Sequence, residues 1–174
     1  MENIIKGIRR YYPVSDKSLK ILFSRMEKLE LPKKHLLIHG GVADRHVYFI
    51  EKGFCRSYCL RDGEEITIWF SREGDITFAM KDLYHNEPGY EYVELLEDCE
   101  LYAIRIEDLN QIYETNIEIA NWGRVIHQEC LLYMDSIIST GSTFRPRNVT
   151  NSSYMNSPMS STAPNWDISL LFLA

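Results

Sequence analysis

Apolar residues recur along this chain with two different periods. Through about residues 3 to 29 they return every three or four positions, which predicts one or two helices. In SDKSLKILFSRMEKLEL, Ser15 stands where a helix cap is expected, and Leu19, Leu22, Phe23 and Met26 follow at helical spacing. From about Leu31 the period drops to two. The stretches HLLIH, HVYFIEKGFCRSYCL, EEITIWFS and YEYVELLEDCELYAI alternate or run apolar. Turn residues punctuate them at Gly40-Gly41, Lys52-Gly53, Asp62-Gly63, Gly74-Asp75 and Pro88-Gly89. Short strands at such spacing predict a sandwich or barrel. Asp62-Gly63 between two strand-like runs suits a type I′ hairpin, which needs positive φ at both positions.

After Ile104 the helical period returns. IEDLNQIYETN predicts a short helix and IEIANWGRVIHQECLLYMDSIIS a long one. In the long one, Ile119, Trp122, Ile126, Cys130, Tyr133 and Ile137 form a narrow apolar seam. A seam on a helix that follows a complete β unit packs either on its own barrel or on the same helix of a second chain. Gly123 within it permits close approach of another helix or marks a bend.

Charge narrows the functional classes. The net charge of -6 opposes unaided nucleic-acid binding, which needs a basic face. MENIIKGIRRYYPVSDK has no apolar signal core, and no run approaches the ~18 apolar residues of a membrane span. A cytoplasmic protein is expected. Cys55, Cys59, Cys99 and Cys130 then read as reduced, small hydrophobes, with Cys55 and Cys59 on one strand face. The five histidines lack metal-ligand spacing, so no metal site or cofactor is expected. A metal-dependent barrel enzyme would need a His/Glu cluster, and no nucleophile–base grouping supports catalysis. The chain reads as a non-enzyme.

The run VYFIEKGFCRSYCLRDGEEITIWFSREGDI adds specificity. Tyr48 to Gly53, the polar hairpin Arg61-Asp62-Gly63 and Gly74-Asp75, followed by LLEDCELYAIRIEDLNQIYETN, resemble the cyclic-nucleotide-binding β-roll of the catabolite-activator-type (Crp/Fnr) transcription regulators. The resemblance covers roughly residues 15 to 138. It implies an α+β fold: N-terminal helices and an antiparallel, jelly-roll-like β-roll over 1–115, then a long dimerisation helix over 116–138. By the same resemblance, Ile119, Trp122, Ile126, Cys130, Tyr133 and Ile137 are expected at a homodimer interface.

The ligand segment departs from the family pattern. Members that bind cyclic AMP carry a Gly-Glu turn for the ribose and, further on, an Arg that meets the phosphate bidentately. Phe78, Ala79 and Met80 stand at the first place, and the Arg position falls near Gly89-Tyr90. Without that Glu and Arg, cyclic AMP is not expected to bind well. Phe78, Ala79, Met80, Gly89, Tyr90 and Tyr92 are the pocket candidates. They line an apolar site for an unidentified small effector, or they fill the barrel.

The tail, 139–174, is irregular by composition. From Ile137 onward it contains no Lys and no Glu, and it is too short for the winged helix-turn-helix that the resemblance implies after the dimer helix. Read one base out of frame, Asn165-Trp166-Asp167 must encode Leu-Gly, and Met155-Asn156 must encode Glu. These forced residues fall where a helix-turn-helix entry of the family has them. A frameshift between about Ile138 and Phe144 is therefore expected, against a genuine divergent tail. On this reading the chain is the sensor and dimer module of a regulator, binding DNA only in an intact full-length form. The alternative is a stand-alone module acting on a protein partner.

Overall fold

A computed structural model describes residues 1–139, except the side chains of Tyr133 and of 136–139. The side chains of the interface candidates Tyr133 and Ile137, and all but the first residue of the tail expected at 139–174, lie outside what is described.

Two helices open the chain, α1 (Glu2–Tyr11) and α2 (Asp16–Phe23). Ser15 caps α2 as its residue type predicts, its Oγ accepting from Ser18 N–H at 3.3 Å. The helical expectation overshoots here: α2 stops at Phe23, and Glu27–Leu31 is already strand β1. The run EKLEL alternates, and pairing with β8 (Cys99–Arg105) satisfies its backbone, which outweighs the helical spacing of Met26.

Between them lie β2 (Leu36–Ile38), β3 (His46–Lys52), β4 (Phe54–Arg61), β5 (Glu64–Arg72), β6 (Ile76–Thr77), helix α3 (Met80–His85) and β7 (Tyr92–Leu95). They form two antiparallel sheets, ordered β1-β8-β3-β6 and β2-β7-β4-β5. Asp62 and Gly63 both take positive φ, 55° and 86°, and the hairpin closes in register at Arg61–Glu64.

The continuous apolar run VYFI has a direct physical meaning. On β3, Tyr48 and Ile50 face into the roll with Leu37, Cys55, Val93 and Leu101, while Val47 and Phe49 face the helices. Both faces are buried, so the run does not alternate.

The helical layer is completed by α4 (Ile106–Thr115) and α5 (Ile117–Ser139). Ile119, Trp122 and Ile126 of α5 are 0%, 1% and 5% exposed, and Trp122 stacks on Phe49 at 5.7 Å between ring centroids. The first half of the seam thus packs on the chain's own roll. This corrects the expectation of an interface through these three residues, which have no surface left to offer a second chain. Gly123 serves a close approach within the chain: a Cβ there would lie 2.7 Å from Tyr113 Oη of α4.

Candidate functional site

A cavity of about 320 Å³ opens between the β4–β5 sheet and the helices. Its floor is Ser57, Ile68, Trp69 and Ser71; the turn into β6 adds Asp75, Ile76 and Thr77. The ligand segment contributes Phe78, Met80, Tyr90 and Glu91, α1 contributes Tyr11, and α5 closes it with Ile126, His127, Cys130 and Met134.

Of the pocket candidates, Phe78, Met80 and Tyr90 line this cavity. Met80 and Tyr90 remain 45% and 58% exposed, which places them at its mouth. Phe78 packs roughly perpendicular to the rings of Tyr84 and His127, at centroid distances of 6.5 and 6.2 Å. The other three candidates sit elsewhere. Ala79 is buried in the roll core with Leu37 and Ile50. Tyr92 stacks on Tyr58 at 5.2 Å, and a Cβ on Gly40 would press on its ring. Gly89 is where Glu91 folds back: a side chain at Gly89 would overlap Glu91 Oε2.

The segment is held from behind. Asp82 on α3 is 1% exposed and accepts from the backbone N–H groups of Asp44 and Arg45 at 2.7 and 2.5 Å. The Arg45 guanidinium lies 3.4 Å from its second oxygen. These contacts pin α3 to the loop before β3. On the outer face of the sheet, Arg56 donates twice to Glu94, at 3.0 and 2.8 Å, and also reaches Glu65.

The electrostatics of the cavity come from Cys130 of the seam and from residues that the hydrophobic pattern did not single out. Asp75 is 8% exposed; burial raises its carboxyl above the usual range, although Arg72 N–H donates to it at 3.1 Å and Arg10 stands 3.6 Å away. Glu91 is 7% exposed, and its Oε2 has no hydrogen-bond partner. Burial lowers the His127 imidazole and pushes the Cys130 thiol up to about 11. No Arg or Lys is among the described residues of the lining. A signal for Glu91 was present in the sequence: it falls in phase with Val93 and Leu95, both fully buried.

The model of the cyclic nucleotide-binding domain matches residues 28–116. The chain belongs to this family. Among solved structures, the cyclic nucleotide-binding fold with its following helix is shared with the Thermus thermophilus catabolite activator protein, at a TM-score of 0.67 and 17% identity over 78% of this chain. A Crp/Fnr-family putative transcriptional regulator from Eubacterium rectale matches at 0.61 and 18% over 75% of this chain and 63% of its own. The regulatory domain of Toxoplasma gondii PKA, solved with cAMP, matches at 0.57 and 23% over 64% of this chain. The chain spans 63% of the Thermus protein and 43% of the Toxoplasma one. No curated protein matches it by sequence. Among the described residues of this cyclic nucleotide-binding domain, no helix is long and apolar enough to cross a membrane, and no cluster of His, Cys, Asp and Glu is set to hold a metal ion.

Proposed function

We propose that the chain is the effector-sensing and dimerisation module of a Crp/Fnr-type transcription regulator, a cytoplasmic non-enzyme. One observation carries this reading: α5 is both a wall of the cavity, through Ile126, His127, Cys130 and Met134, and the bearer of outward apolar side chains beyond it. Leu131 and Leu132 are 69% and 62% exposed. A small molecule in the cavity touches the same helix that offers this face to a second copy, so occupancy biases assembly.

Cyclic AMP is not the effector on this reading. A buried phosphate needs a cation or several donors, and the described lining sets two carboxylates near it with no Arg or Lys. DNA is read only by an intact full-length form. The test pairs sedimentation with calorimetry. The chain sediments as a dimer, Leu132→Glu makes it monomeric without unfolding it, and cyclic AMP gives no heat at micromolar concentrations. A monomeric wild type sinks the dimer claim; a clean micromolar isotherm sinks the claim about cyclic AMP.

A further inference from the structure

Polar atoms buried in a native fold are nearly always paired. Among the described residues, six buried side-chain atoms lack a hydrogen-bond partner, and three of these, Tyr11 Oη, Glu91 Oε2 and His127 Nε2, belong to residues lining this one cavity. They come from α1, the ligand segment and α5, so no single local irregularity explains them.

Their chemistry has a common sign. His127 Nδ1 lies 2.7 Å from the carbonyl of Gly123, which can only accept, so the proton sits on Nδ1 and Nε2 presents a lone pair. Burial lowers its pKa and so favours the neutral ring. An ionised Glu91 accepts only, and the Tyr11 hydroxyl serves either way. The absence of a side chain at Gly89 leaves the Glu91 carboxylate its place. Around these acceptors the walls are apolar: Ile68, Ile76, Phe78, Ile126 and Met134. The volume of about 320 Å³ stands at the small end of ligand pockets, which run from ~300 to ~1,000 Å³.

We propose that this cavity takes a small apolar molecule carrying an amine, which donates N–H groups to Glu91 and His127. This rests on the effector-sensing reading and names its ligand class, opposite in charge to a cyclic nucleotide.

A matched series tests it on the whole chain: indole, tryptamine and indole-3-acetate share one ring system and differ in charge. Affinities are read by calorimetry, and the site is located by shifts in the methyl resonances of Ile68, Ile126 and Met134. Tryptamine is expected to bind tightest and indole-3-acetate weakest, with about tenfold or more between them, the size of one charge-assisted hydrogen bond. Glu91→Gln narrows that gap about tenfold, and a cooperative thermal melt like that of the wild type shows its fold intact. Equal affinities, tighter binding of the acid, or a gap that survives Glu91→Gln overturn the amine assignment and leave the sensor reading standing. No methyl shift with any of the three overturns both.

Discussion

Replacing Trp122 by Ala separates the two places where the α5 seam can pack. Trp122 is 1% exposed in the single chain and stacks on Phe49. Its indole nitrogen has no partner, so the substitution strands no hydrogen bond and the cost is that of lost contacts and a cavity. For a fully buried Trp that is about 3–5 kcal/mol. In a chain of this size each kcal/mol lowers the melting temperature by ~2–4 °C, so a drop of roughly 6–20 °C is expected. The assay is urea unfolding at two protein concentrations a hundredfold apart, with Leu132→Ala as a surface control. At the lower concentration Trp122→Ala shifts the midpoint strongly and Leu132→Ala by about 0.5 kcal/mol or less. If Trp122→Ala instead left that midpoint unchanged and weakened only self-association, Trp122 would face a second chain, and the packing of α5 on the roll would be wrong.

Three other outcomes follow from particular residues. Gly63 has φ of 86° and open space around it, so Gly63→Ala costs ~1–2 kcal/mol of backbone strain alone, whereas Gly7→Ala costs more because its Cβ would overlap the carbonyl of Gly74; denaturant midpoints rank them. Burial depresses the His127 pKa below its ordinary 6.5, so the unfolded chain takes up the proton first as pH falls through that value, and stability declines toward acid; His127→Gln flattens this part of a pH–stability curve. Sequencing the DNA encoding residues 130 to 174 and beyond is expected to find the alternative frame open into a helix-turn-helix, and closure of every frame soon after Ala174 would favour the stand-alone module.

The elements were legible where residue type and period agreed. Ser15 as a cap and Asp62-Gly63 as a hairpin turn needed no tertiary information, whereas the apolar run on β3 read as a strand and only the packing shows both of its faces buried. The start of β1 was hidden because EKLEL is short and charged, and only β8 makes it a strand. At the site, the pattern found the apolar members Phe78, Met80 and Tyr90. Asp75, Tyr11 and His127 were missed because each reads locally as surface or loop, and Glu91 because its charge masked its phase with Val93 and Leu95; they meet only when α1, α5 and the ligand segment converge on the sheet. Seam geometry on α5 told that one stripe was buried but carried no information on which chain buries it.

The position of Trp122 and Met134 on one helix implies a gradient in amide protection along it. The turn around Ile119 and Trp122 opens only with the core, so its amides exchange near the global unfolding rate. The turn around Leu131 and Leu132 exposes its side chains and is held chiefly by the cavity wall, so its amides exchange through cheaper local openings. A bound small molecule slows exchange in this second turn and barely touches the first, which makes α5 a rod anchored at one end with a tunable stiffness at the other.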